Sequence, residues 1–250
     1  MARLLTRFKH SLDILRMHGL RVFLHRLAYR LRGRQGHPPM LLAYRYCRGL
    51  GVELGAAAYN PFHLKRCRNV APYSDDPERI AYKDYELYKE HQIEVIGHYT
   101  PVDLPGEAAN IPVEDKSLDY VLSSHVVEHL PDPIRAFLEW NRVLKPGGIV
   151  FMIFPKRDAL DNDARRPITP LAEFIDDYHN QATIETHPVA AGDRVGGHYH
   201  VFTLGSMLEL IAWCNDHLNL DWVVVETETT DSKIGNGHTV VCRYEPSEPE

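Results

Sequence analysis

The residues with the clearest chemical potential in this chain are two serines, a glutamate and four histidines. Ser123 and Ser124 run directly into His125, Glu128 and His129, and His198 and His200 lie far downstream in a Gly-Gly-His-Tyr-His run. An imidazole titrates near neutral pH, and by taking the proton of a weakly nucleophilic hydroxyl it can add about 10²- to 10⁴-fold in rate. His125, His198 and His200 are therefore the candidate general bases. Arg165 and Arg166 could hold an anionic part of the acceptor, but solvated surface suits them better. His125-Val126-Val127-Glu128-His129 also fits H-x-x-E-H, in which two histidines bind zinc and the glutamate activates water. So short a pattern arises easily by chance, it directly follows a strand, and Pro131 interrupts the long helix such sites use. A zinc hydrolase is the remote reading, and no metal is expected.

The elements that must position these groups surround them. Leu118 to Leu122 is a run of β-formers ending at Ser123-Ser124-His125, where a buried parallel strand would emerge at its sheet edge. Asp132 and Pro133 then open a helix as N-cap and first-turn proline. Phe137, Leu138, Trp140, Val143 and Leu144 give it an apolar face, and Pro146-Gly147-Gly148 ends it. Ile149 to Phe154 is a second apolar strand. Strand, crossover helix and strand form a right-handed βαβ unit, so the sheet is parallel and a ligand belongs beyond the strands' C-terminal ends.

Around this unit the chain alternates in the same way. Gly49 to Ala58 puts Glu53 near the end of an apolar strand, followed by a turn of very small side chains that lets backbone approach a ligand closely. Asn69 to Tyr73 and Val102 to Leu104 are further short strands, with a polar helix over 77–93 between them and a loop from Gly106 to Pro112 after them. The passage 156–202 is long and rich in His, Asp and Gly, with a helix from Pro170 to Tyr178, which favours a lid or substrate-binding insertion. A helix from Thr203 to His217 precedes two strands, Trp222 to Glu226 and Thr239 to Arg243, read as an antiparallel pair. The tail 245–250 reads as disordered.

A 44% hydrophobic and 25% charged composition is that of an ordinary globular protein. Cys47, Cys67, Cys214 and Cys242 make no CxxC pair, which argues against a disulfide framework and suits a reducing cytoplasm. The net charge of −6 conceals an asymmetry: residues 1–34 hold nine Arg or Lys against one acid, a net +8, and the rest hold 19 against 33, a net −14. A basic groove for nucleic acid is not indicated. Residues 1–38 read as a helical arm leading through a linker into a domain over 39–244. Leu4, Leu5, Phe8, Leu12 and Leu15, then Leu20, Phe23, Leu24, Leu27 and Leu31, line one side of two amphipathic helices whose opposite faces carry arginine. That pattern suits the surface of an anionic membrane, at its inner face, or packing on protein, and more remotely an organellar transit peptide, which is also Arg-rich and acid-poor.

LDYVLSSHVVEHLPDP, followed by RVLKPGG and an apolar strand, resembles the signature of the class I S-adenosylmethionine (SAM)-dependent methyltransferases, in their type 11 branch. The resemblance implies a Rossmann-like α/β fold: a seven-stranded, mostly parallel sheet with an antiparallel last strand in an α/β/α sandwich, to which the N-terminal arm is added. It implies SAM as cofactor, held by Glu53, Gly55, Ala57 and Asn60 in the first loop, by Glu107 and Ala108 at the adenine, and by Ser123 and Ser124 below the methyl group. Two positions depart from the family's pattern. Ala57 and Ala58 replace glycines, and Ala71-Pro72 stands where an acid usually binds the ribose, leaving Asp75 or Asp76 as substitutes. The expected activity is O-methylation of a saccharide or related small molecule, as in bacterial surface-polysaccharide assembly. The alternative is a degenerate relative that keeps the fold as a binding or scaffold protein.

Overall fold

The computed structural model describes residues 41–55, 62, 64–72, 89–90, 92–93, 99–187, 197–233 and 235–246. Its centre is a seven-stranded sheet in the order β3-β2-β1-β4-β5-β7-β6. The strands are β1 (Gly51–Leu54), β2 (Cys67–Ala71), β3 (Leu104–Pro105), β4 (Leu118–Ser124), β5 (Leu144–Pro155), β6 (Trp222–Glu228) and β7 (Gly237–Tyr244). The first five pair in parallel, while β7 runs antiparallel to both β5 and β6. The expected sheet, with its late antiparallel pair, is thus the one observed.

The helices, in chain order, are α1 (Leu41–Tyr46), α2 (Pro133–Val143), α3 (Asp161–Arg165), α4 (Leu171–His179) and α5 (Leu204–Leu218). Alternation along the buried strands sends side chains to two cores. On one face Val52, Leu54, Val121, Val150 and Met152 meet Phe137 and Trp140 of α2 and Leu210 of α5. On the other, Tyr120, Leu122, Phe151 and Val241 meet Ala43 of α1 and Phe62.

Helix α2 begins as the sequence requires, the Asp132 side chain accepting from the Arg135 N–H at 2.9 Å with proline in the first turn. It ends sooner than expected: Leu144 has left the helix and pairs with Leu118 as the first residue of β5. The outer strands are also displaced from their expected positions. β3 is only two residues long, and its pairing is Val70 with Leu104 and Ala71 with Pro105. The arm over 1–38 and the residues 247–250 of the tail lie outside the described residues. Among the described residues, no helix is long and apolar enough to cross a membrane.

Candidate active site

From β1 the chain proceeds to one side of the sheet through β2 and β3, and later to the other through β4 and β5. Such a switch point opens a crevice beyond the C-terminal strand ends. Leu54 pairs with Ser123 there, so Gly55 and Ser124 emerge side by side. Gly55 has φ +63°, its N–H donates to Val70 O at 3.0 Å, and an added Cβ would stand 2.9 Å from Val126 Cγ2. Both the left-handed backbone and the close approach call for glycine. Ser123 is fully buried, with a hydroxyl that has no hydrogen-bond partner. Ser124 Oγ accepts from Lys233 Nζ at 3.1 Å.

Next along the edge, Gly106 donates to Ala71 O, and Glu107 and Asn110 bridge each other across a tight turn that leaves Glu107 exposed. Ala108 is held in that turn because its carbonyl accepts from Trp140 Nε1 at 2.9 Å. Ala71 and Pro72 close β2 without an acid. Ala57, Asn60, Asp75 and Asp76 lie outside the described residues.

Glu53 points into the face occupied by Phe62. Both carboxylate oxygens accept from the Phe62 N–H, at 3.2 and 3.1 Å, so this side chain holds the backbone at Phe62. Burial pushes its pKa up to about 7, against the opposing charge of Lys233 and the Phe62 hydrogen bond. Lys233, from the β6–β7 connection, lies 4.1 Å over the Phe62 ring, and burial lowers its own pKa. No sequence pattern marks Lys233 for this edge, because the connection is polar and unpatterned and its placement depends on the β5–β7 pairing.

His125 follows β4 in a left-handed conformation, φ +56°, with its N–H donating to Ile153 O at 2.8 Å. That backbone turn directs Nδ1 back to Glu128 Oε1 at 3.3 Å. Glu128 and His129 belong to a single 3-10 turn, Val127–His129, instead of a long helix. His129 Nε2 lies 3.9 Å and His198 Nε2 4.0 Å from the same Glu128 oxygen. The 156–202 insertion thus brings His198 to the β4 edge, where its backbone neighbours Tyr199 and His200 also reach the Glu128 carbonyl. Burial disfavours the charge on Glu128, yet the hydrogen-bonding and positive potential of His125, with the charges of His129 and His198, outweigh it and hold its carboxyl below the usual range.

Two of the expected participants are placed elsewhere. His200 is fully buried against Phe174, in a separate group with Glu173, Asp177 and His187. Burial, chiefly, drives its pKa down to about 3, which leaves it a poor base at neutral pH. Arg166 does not open to a ligand: its guanidinium donates to the carbonyls of His198 at 3.0 Å and Tyr199 at 2.6 Å and pairs with Asp163. Arg165 is exposed. Asp163, missed in the sequence, accepts from His198 Nδ1 at 2.6 Å. Its only signal was the polarity of the insertion.

A family model described as a methyltransferase domain matches residues 50–152, the segment from β1 into β5. Demethylmenaquinone methyltransferase of Staphylococcus haemolyticus is 49% identical over 45 residues, 18% of this chain and 19% of that protein. A probable S-adenosylmethionine-dependent methyltransferase of Mycolicibacterium smegmatis is 32% identical over 98 residues, 39% of this chain and 37% of that one. The matched part therefore spans well under half the length of these curated relatives. Among solved structures, a SAM-dependent methyltransferase from Thermotoga maritima, described as a possible histamine N-methyltransferase, aligns with TM-score 0.47 and 19% identity over 94% of this chain and 99% of that one. Over its residues 50–152 the chain is thus similar to the methyltransferase-domain family.

Proposed function

We propose that the chain transfers a methyl group from SAM to a hydroxyl of a saccharide or related small molecule. The observation that carries this reading is the meeting, at one switch point, of the bare Gly55 turn from β1 with His125 from β4. The residues at this edge fit SAM. Gly55 keeps a backbone surface free of side chain, the buried Ser123 hydroxyl has no hydrogen-bond partner among the described residues, and the Glu107 carboxylate is exposed at the neighbouring strand end. Gly55, Ser123, Ser124, Glu107 and Ala108 would hold the cofactor, and Glu53 would act through the Phe62 loop.

SAM supplies an electrophilic methyl group on a sulfonium, and in-line transfer of that group depends chiefly on alignment. What the protein adds is a proton acceptor. With Nδ1 turned to Glu128, His125 has Nε2 left for the acceptor hydroxyl, and that nitrogen is buried with no hydrogen-bond partner. Glu128 would stabilise the imidazolium that forms. The basic arm supports a setting at the inner face of a membrane, where glycans are assembled on lipid carriers.

Isothermal titration with SAM and with S-adenosylhomocysteine is the first test, and micromolar binding is expected. Failure to bind at millimolar ligand would favour the degenerate scaffold instead. With labelled SAM and a panel of glycans, His125→Ala should lower turnover by about 10²- to 10⁴-fold and leave S-adenosylhomocysteine affinity unchanged. Unchanged turnover would remove His125 as the base.

A further inference from the structure

We propose that Glu128, His129 and His198 form a binding site for one divalent transition-metal cation of the Zn²⁺ or Mn²⁺ kind, directly beside His125. One carboxylate oxygen and two ring nitrogens lie within 4.8 Å of one another. Ligands about 2.0–2.2 Å from a shared tetrahedral ion are about 3.4 Å apart, so the His129 and His198 contacts to Glu128, at 3.9 and 4.0 Å, need to close by only about half an ångström.

Glu128 is completely buried, and beyond the His125 Nδ1 contact at 3.3 Å its carboxylate makes no side-chain hydrogen bond among the described residues. A buried carboxylate in that state needs a compensating charge. The outer side of each histidine is already anchored. His198 Nδ1 meets Asp163 Oδ2 at 2.6 Å, and His129 Nδ1 meets the Gly197 carbonyl at 3.2 Å. Both contacts favour a proton on Nδ1, which turns the Nε2 lone pairs inward, the arrangement by which proteins orient metal-binding histidines. Gly197 suits its place, with φ +78° and a missing Cβ that would stand 3.3 Å from His129 Nδ1. Arg166 holds Asp163 and the His198 and Tyr199 carbonyls, so the surrounding shell is itself fixed. The side chain of His129 is 41% exposed, which gives an ion a route in and leaves room for ligands from outside the protein.

Two histidines and one carboxylate leave coordination positions open to an oxygen ligand. The role toward the acceptor rests on the methyl-transfer reading, whereas metal binding does not. An acceptor hydroxyl on the cation would ionise more readily and lose its proton to His125. The acceptor oxygen then forms its bond to the methyl carbon as the carbon–sulfur bond breaks. The products are the methyl ether, S-adenosylhomocysteine and, after His125 releases it, one proton.

The test is titration of the full-length, chelator-treated protein with Zn²⁺ and with Mn²⁺, followed by calorimetry and by metal content after gel filtration. One ion per chain is expected. His129→Asn and His198→Asn should each weaken binding at least a hundredfold, and Asp163→Asn, a positioning change, about 10- to 100-fold. Asp163→Asn keeps the side-chain shape and an acceptor for His198 Nδ1, so its circular dichroism in chelator should match wild type, which keeps a folded reporter available if the histidine variants are unstable. No binding at millimolar metal would overturn the proposal. So would wild-type affinity in His129→Asn, His198→Asn and Asp163→Asn, or loss of the ion only in His187→Asn, which would assign it to the group beside α4. Metal binding without SAM binding would spare this site and sink the methyl-transfer reading; SAM binding without metal would do the reverse.

Discussion

Glu53 shows how a single residue can carry a family's signature and yet act indirectly. The resemblance implies contact with SAM, but both carboxylate oxygens are occupied by the Phe62 N–H, so the side chain fixes the backbone at Phe62. Holding a carboxylate in this buried place has a pH-dependent cost. Its pKa is pushed up to about 7, mainly by burial, from the 4.5 of an ordinary glutamate. Below the ordinary value it is protonated in both folded and unfolded chains, and nothing is lost. Between 4.5 and 7 the folded chain binds more protons than the unfolded one, so stability falls as pH rises. Above 7 the penalty is complete, on the order of 3 kcal/mol. Glu53→Gln keeps an acceptor for the Phe62 N–H and removes the titration. Urea unfolding should therefore show wild type losing about 2–3 kcal/mol relative to the variant between pH 5 and pH 8. Parallel pH profiles for the two proteins would show that Glu53 does not titrate in this window.

At the scale of elements, the crevice is shaped as much by α2 as by the strands. Arg142, near its end, donates to the Val113 carbonyl at 3.1 Å and the Ile111 carbonyl at 3.0 Å, and it grips Glu139 at 2.7 and 2.8 Å and Asp115. Glu139 in turn accepts from the Ile111 N–H at 2.6 Å, and Trp140 holds the Ala108 carbonyl. The loop bearing Glu107 is thereby fastened to the helix. Arg142→Ala should destabilise the fold by about 2–3 kcal/mol in denaturant titration and weaken S-adenosylhomocysteine binding; Arg142→Lys should recover only part, because an ammonium cannot span the fork. An unaltered affinity in a destabilised Arg142→Ala would separate the loop from the cofactor. Such clamps were illegible in the sequence, whereas the elements they join were plain. Asp132-Pro133, the apolar spacing of α2 and the runs flanking it are local signals, and local signals set strand and helix identity. The position of Leu144 was misread because its apolar spacing fits the helix, while its pairing with Leu118 across the sheet takes it into β5. The candidate site was half legible for the same reason. Ser123, Ser124, His125 and Glu128 lie on one stretch, but Asp163, His198 and Lys233 arrive through an insertion and a connection whose course no periodicity records.

For the whole molecule the dominant feature is charge that is segregated along the chain. Residues 1–34 carry +8 and the remainder −14. An acidic body is repelled by anionic lipid, so any attraction must come from residues 1–34, whose sequence interleaves arginines with apolar residues at spacings of three and four. Each basic residue near an anionic surface contributes about 1 kcal/mol, so engagement of only four would strengthen binding by roughly a thousandfold. The attraction acts over about one Debye length, near 10 Å at 0.1 M salt, and contracts as salt is raised. Wild-type protein should therefore sediment with vesicles of phosphatidylglycerol and phosphatidylcholine, bind much more weakly to phosphatidylcholine alone, and be released progressively up to 0.5 M NaCl. Deletion of residues 1–34 should abolish sedimentation and leave S-adenosylhomocysteine binding intact, because β1, β4 and the crevice between them lie wholly within the body. Vesicle binding that survives the deletion, or that ignores lipid charge, would instead assign the arm to protein packing. Loss of cofactor binding on deletion would point the same way, since it would mean that the arm completes the fold around the crevice.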